Sequence, residues 1–127
     1  MTARNISARP LTELQQAILE FIWKRGPATA DQVRGALLPA HRLKDPTVRT
    51  LLRRLEARGL LSHRLDGKVF RYKAKVARRH VAVRAVQLLI DRFWAGSAEQ
   101  FLAGMVDEEV VTTEQIERLA KTVRSRQ

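Results

Sequence analysis

Apolar residues recur along this chain at two different spacings, and the change between them marks its organisation. From Thr12 to Lys24, Leu14, Ala17, Ile18, Phe21 and Ile22 fall on one side of a 3.6-residue period, which predicts an amphipathic helix. Thr12 and Gln15 stand in capping-box spacing at its start, and Gly26-Pro27 stops it. "TADQVRGALL" repeats the signal, with Thr29 and Gln32 as the cap, Val33, Ala36 and Leu37 as the stripe, and Gly35 weakening the helix. "PAHRLKD" reads as a loop. A third helix is expected from Asp45 as N-cap and Pro46 at the first helical position, where a missing N–H costs nothing. It ends at Gly59, a natural left-handed cap.

The third helix carries two opposed faces. Val48, Leu51, Leu52 and Leu55 form an apolar floor, while Pro46, Thr50, Arg53 and Ala57, flanked by Thr47, Arg49 and Arg54, lie opposite. The period then shortens. "LLSHRL" and "VFRYKA" are β-compatible runs separated by Asp66-Gly67-Lys68, and Asp-Gly between two such runs predicts a tight hairpin with positive φ at both central turn residues. Three short helices followed by a hairpin is the order of a winged helix-turn-helix, with Phe21, Trp23, Phe70 and Tyr72 expected inside it.

Beyond Val76 the helical period returns. Ala82, Val83, Val86, Leu89, Ile90 and Phe93 recur at helical spacing; Ser97 and Gln100 cap a short helix with Phe101, Leu102 and Met105; Thr112 and Gln115 cap a last one with Ile116, Leu119 and Val123. Three such helices bury too little for an independent core, so a second copy is the economical cover. The expected fold is mainly α with a small β-hairpin: a flexible N-terminal arm (1–10), a winged helix-turn-helix (11–75) and a C-terminal helical dimerisation region (76–127). Val83, Val86, Ile90, Phe93, Trp94, Phe101, Leu102, Met105, Ile116 and Leu119 are the candidate dimer contacts.

Charge changes this picture from a fold to a candidate activity. Lys and Arg number 24 against 13 acidic residues, a net +11. The excess is lopsided: residues 1–80 hold 18 basic and 6 acidic side chains, residues 81–127 hold 6 and 7. A basic first part and a near-neutral tail suggest a polyanion-binding module joined to something with another task. An α-helix fits the major groove of duplex DNA, where base edges display a full donor and acceptor code. Thr47, Arg49, Thr50, Arg53 and Arg54, with Lys44 just before them, are candidates for bases and phosphates, and Arg64, Lys68 and Arg71 of the hairpin for the flanking backbone or minor groove. Arg58 and Glu56 are expected on a solvated surface. A winged helix turned to protein interaction, or binding DNA without operator preference, is the alternative.

Other chemistry is not indicated. The chain has no cysteine, so disulfides, thiolate catalysis and Cys-based metal sites are excluded. His41, His63 and His80 are scattered, Asp107-Glu108-Glu109 reads as a solvated helix end, and no phosphate loop or nucleophile elbow is present. No cofactor, no metal and no enzymatic activity are expected. With no apolar run of the ~18 residues a membrane span needs and no signal-peptide core, a cytoplasmic protein without membrane insertion is expected.

"LTELQQAILEFIWKRGPATADQV", "TVRTLLRRLEARGLL" and "DGKVFRYKAKV", in this order, resemble the BlaI/MecI penicillinase-repressor family, which includes the CopY copper-responsive repressors; "FWAGSAEQFLAGMVDEEVVTTEQIERL" extends the likeness more loosely. The resemblance implies a homodimeric transcriptional repressor on a palindromic operator of double-stranded DNA, paired through its C-terminal helices. It places the recognition helix at Asp45-Pro46 onward, and so implies the DNA role for Thr47, Arg49, Thr50, Arg53 and Arg54. It implies control of a β-lactamase gene or of other stress and resistance genes. It also implies a membrane-bound zinc-protease sensor that triggers cleavage of an Asn-Phe bond in the second tail helix. Gly104-Met105 stands at that place in this chain, without the Asn-Phe pair, and the absence of cysteine removes the CopY-type metal switch.

Overall fold

The computed structural model describes residues 9–127; the arm expected over 1–10 falls almost wholly outside them. The chain order is α1 (Glu13–Arg25), β1 (Ala28–Thr29), α2 (Ala30–Leu37), α3 (Asp45–Ala57), β2 (Leu61–Asp66), β3 (Val69–Ala74), α4 (Arg78–Phe93), α5 (Ala98–Asp107) and α6 (Thr113–Ser125). Two compact units result, one ending at Ala85 and one spanning Val86–Gln127.

Local signals set the helix starts. Thr12 and Gln15, Thr29 and Gln32, and Thr112 and Gln115 each close a full capping box, satisfying donors that a helix leaves unpaired. At α5, Ser97 accepts from the Gln100 N–H. The expected Asp45 cap is not formed. The cap position is Lys44, which makes no side-chain bond, and Asp45 lies inside the first turn, where its carboxylate accepts from Arg49 Nε at 2.7 Å. The helix starts one residue earlier than expected, so Asp45 is its first helical residue and pairs along the helix instead of capping it.

In the first unit the core is built by Ile18, Leu19 and Ile22 of α1, Ala28, Ala30, Val33 and Leu37 around α2, Val48, Leu52 and Leu55 of α3, and Leu60, Leu61 and Tyr72 of the sheet region. The stripes are close to those expected, with two differences. Leu19 is fully buried, and Ala36 is exposed because α2 rolls its floor onto Ala30, Val33 and Leu37. The hairpin joins a third strand: the order is β1-β3-β2, all antiparallel, with Ala28 opposite Tyr72. The hairpin turn is Gly67-Lys68, between the paired Asp66 and Val69. Gly67 has φ 67°, whereas Lys68 is not among the positive-φ residues. The turn therefore follows the pattern with glycine at the first central position, rather than two positive-φ residues at Asp66-Gly67. Phe21 and Trp23 are half-buried and Tyr72 is buried, but Phe70 is 44% exposed, because the core ends at Tyr72 and the strand continues past it.

Arg58 also departs from expectation. It is only 8% exposed, and its guanidinium donates to Gln15 Oε1 at 3.0 Å and to the carbonyls of Pro10 and Arg9. Burial, and then the nearby Arg9 charge, push its pKa below the ordinary value. The end of α3 is thus latched to the segment that leads into α1. Arg58→Met should destabilise the protein by about 1–3 kcal/mol, the effect of losing bonds to a buried charged donor. Denaturant unfolding checks this, and an unchanged midpoint would show that the latch holds nothing.

The tail helices are differently made. No residue of α4, α5 or α6 is buried. Within the second unit, Trp94 packs edge-on to Phe101 with centroids 5.2 Å apart, and its ring lies 3.5 Å from where a Cβ on Gly104 would stand. Of the ten apolar residues expected at a dimer contact, Val83, Val86, Phe93, Leu102 and Leu119 are exposed, and Ile90, Trp94, Phe101, Met105 and Ile116 are half-buried.

Candidate nucleic-acid interface

α3 is docked by Val48, Leu52 and Leu55, all at 0% exposure, and this fixes which side chains it presents to solvent. Thr47, Arg49, Arg53 and Arg54 are exposed and Thr50 is half-buried, so one helix face carries three guanidinium groups and two threonines. Lys44, just before the helix, is exposed as well.

Two of these side chains are already organised. Arg49 is held through Nε by Asp45, and that hydrogen bond, with the charge of Asp45, raises its pKa. The tether leaves its terminal nitrogens available while removing some of the rotamer freedom that binding would otherwise cost. Thr50 Oγ1 donates to the Pro46 carbonyl at 2.9 Å and accepts from Arg53 at 3.4 Å. With its proton committed, Thr50 can offer a partner only an acceptor and a methyl group.

The hairpin is fastened to the far end of this helix. Glu56 of α3 reaches β2, where His63 Nδ1 lies 2.6 and 2.8 Å from its two carboxylate oxygens. A carboxylate only accepts, so Nδ1 carries the proton. The His63 ring in turn lies 4.5 Å from Phe70 and 5.5 Å from Tyr72, centroid to centroid. Burial, followed by the Glu56 charge, holds the Tyr72 phenol above its ordinary pKa. The Arg53 and Arg49 charges act on the same phenol in the opposite direction, so the arginines of α3 and the root of the hairpin share one electrostatic environment. Neither Glu56 nor His63 was expected at the site. They are seven residues apart, and the turn from α3 into β2 brings them together.

Arg64 and Arg71 sit directly opposite each other across β2 and β3. In a pleated pair they occupy the face opposite Tyr72. They thus point away from the side of the sheet that contributes Tyr72 to the core. Like charges in opposed positions repel, and Asp66 offsets this by accepting from Arg71 Nε. That bond and the Arg71 charge hold the Asp66 carboxyl below its ordinary 3.8. The folded protein thus binds this proton less readily than the unfolded chain. The stabilisation is present above pH 3.8 and is lost as pH falls through the lower folded value. Asp66→Asn should lack that acid limb, so the stabilities of parent and variant should converge as acid is added; a constant difference through the acid range would exclude the pair as its source.

Among the described residues, no group of histidine and acidic side chains is placed to hold a metal ion, and no helix is long and apolar enough to cross a membrane.

Three helices, with the third docked by its leucines and a paired wing after it, define a winged helix-turn-helix regulator. The chain belongs to the penicillinase repressor family, whose profile matches residues 11–125. It is 21% identical to the methicillin resistance regulatory protein MecI of Mammaliicoccus sciuri, over 86% of this chain and 89% of that protein. It is equally 21% identical to the penicillinase repressor of Bacillus licheniformis, over 86% of this chain and 85% of that one. The DNA-binding domain of the repressor BlaI superposes with a TM-score of 0.52 at 23% identity, covering 59% of this chain and 92% of that domain. The last likeness speaks for the fold, and the family makes the chain a transcriptional repressor by class, not an enzyme.

Proposed function

We propose that this protein is a homodimeric repressor that binds a palindromic operator in double-stranded DNA. The winged helix-turn-helix over 11–75 is the reading unit, and the helical region over 76–127 pairs the two copies. The observation that carries the reading is α3 itself: a helix whose leucines are fully buried and whose arginines and threonines are left to solvent. In this reading Thr47, Arg49, Thr50, Arg53 and Arg54 enter the major groove. Lys44, Arg64, Lys68 and Arg71 hold phosphates, which position the protein without specifying sequence. The regulated gene is proposed to be one of resistance or stress, as the names of the relatives suggest. Derepression is proposed to act on the tail, with a membrane-bound zinc-protease sensor as candidate partner and Gly104-Met105, inside α5, as the candidate cut.

Selection of bound duplexes from a random library, at a fixed salt concentration, tests the function. The expected result is a palindrome with half-sites about one helical turn apart, roughly 34–36 Å. Binding with no enriched sequence would instead make this a nonspecific or protein-directed winged helix.

A further inference from the structure

The tip of the hairpin is apolar on one side and cationic on the other. Leu65 is 64% exposed and Phe70 is 44% exposed, and the two are paired directly across β2 and β3. Such partners have Cβ atoms about 4.5–5.5 Å apart and form one continuous apolar surface. By the alternation of the strands they share a face with His63 and Tyr72, the face fastened to α3 through Glu56. Val69, 47% exposed, lies on the other face of the tip, paired with Asp66. On the other face stand Arg64 and Arg71, with Lys68 in the turn, and the one acid among these residues, Asp66, is already engaged by Arg71.

Leu65 lies four residues beyond the buried Leu61, or roughly 13 Å out along the strand, so nothing in its own core can cover it. A tip that is apolar on one face and cationic on the other, carried beside the helix proposed to read the major groove, fits a polyanion with apolar walls. The minor groove of duplex DNA is such a surface. It is about 6 Å wide, walled by deoxyribose and rimmed by phosphates. A lipid surface is a poorer match, since two side chains near a turn lack the extended apolar face that interfacial segments present.

We infer that Leu65 and Phe70 of the wing lie in the minor groove flanking each operator half-site and select against guanine there. The inference rests on the proposed binding of duplex DNA by α3. The selection has a simple cause. The guanine 2-amino group is the one donor that distinguishes G·C from A·T in the minor groove. Leucine and phenylalanine side chains offer it no acceptor while excluding the water that would otherwise pair with it. The cations then contribute affinity on every sequence, and the apolar pair contributes discrimination. Specificity at these flanks would come from side chains that make no hydrogen bond to a base.

The test uses the full-length protein and duplexes that keep the selected half-sites while one flanking pair is varied among A·T, G·C and inosine·C. Inosine keeps the major-groove acceptors of guanine and lacks the 2-amino group. The parent protein should bind the A·T and inosine·C duplexes alike, and the G·C duplex about tenfold more weakly, the effect of one buried donor left unpaired. Leu65→Ser/Phe70→Ser should abolish that difference while keeping discrimination within the half-site, and Leu65→Ser/Phe70→Leu should restore part of it. Inosine·C behaving like G·C would place the contact in the major groove and overturn the inference, as would a Ser/Ser variant that keeps the flank preference. Binding to vesicles of equal phosphatidylcholine and phosphatidylglycerol that the Ser/Ser variant loses, with no flank effect, would assign the tip to lipid. Loss of discrimination within the half-site by the parent protein itself would instead sink the operator reading, and this inference with it.

Discussion

Replacing Val86 and Phe93 together by glutamate should convert the protein to a monomer and weaken its binding to a two-half-site operator by roughly 10²–10⁴-fold, while leaving single half-site affinity unchanged. Both residues are on α4, one at 39% and the other at 65% exposure, so neither supports the interior of its own subunit to a degree that would unfold it. Their exposure is part of a larger pattern. Leu89, Leu102, Leu119 and Val123 are also exposed, at 41–55%, on helices with no buried residue, as is Val110 at 66% between α5 and α6. Soluble monomers rarely leave so many large apolar side chains uncovered in so short a stretch. Charges placed in an interface core would be buried without partners, which is costlier than the loss of the apolar contacts alone. The half-site measurement separates the two roles of the chain, because linkage of two modules multiplies affinity only where both can engage. A variant that sediments as a dimer, or one that loses half-site and full-site binding equally, would place the dimer contact elsewhere.

The tail's apolar pattern was readable because α5 and α6 announce themselves locally, through Ser97 and Thr112 at their starts, and every tail helix carries a stripe at helical spacing. The same holds for α1 and α2, whose capping boxes depend on residues three apart. What escaped the sequence depends on residues far apart. β1 is two residues long and exists only because Ala28 and Thr29 pair with Tyr72 and Arg71. Arg58 reads as one more cation in a basic run, and only the return of Gln15, Pro10 and Arg9 to the end of α3 makes it an interior residue. Strand alternation correctly groups Leu65 with His63, and Phe70 with Tyr72, yet alternation cannot say where the core stops. It stops at Tyr72, so Phe70 belongs to the surface and to the candidate site. Likewise the arginines of α3 were legible from its helical period, whereas the placement of Arg64 and Arg71 on the opposite sheet face required the register.

Leu52→Ala and Arg53→Ala, neighbours in sequence, should fail in opposite ways. Leu52 is 0% exposed in the centre of the α3 floor, so its truncation leaves a cavity among close-packed neighbours and should destabilise the protein by about 2–5 kcal/mol. Against a typical total of about 5–15 kcal/mol, that is enough to populate unfolded chain. The variant should lose operator binding only as far as it loses folded protein, and the folded fraction should keep the parent's sequence preference. Arg53 is exposed and its described contact is a long one, 3.4 Å to Thr50, so its removal should leave stability within about 0.5 kcal/mol. If it reads a base edge, its loss should reduce discrimination at one position of the half-site by about 1–3 kcal/mol, roughly 5- to 150-fold. Thermal unfolding and binding to single-base operator variants, measured on the same preparations, distinguish the outcomes. An Arg53→Ala protein that weakens on all sequences alike would make Arg53 a phosphate contact. Sequence reading would then fall to Arg49, Arg54 and the threonines beside them. A Leu52→Ala protein that stays fully folded yet loses specificity would mean that the floor of α3 sets its angle in the groove, and not merely its stability.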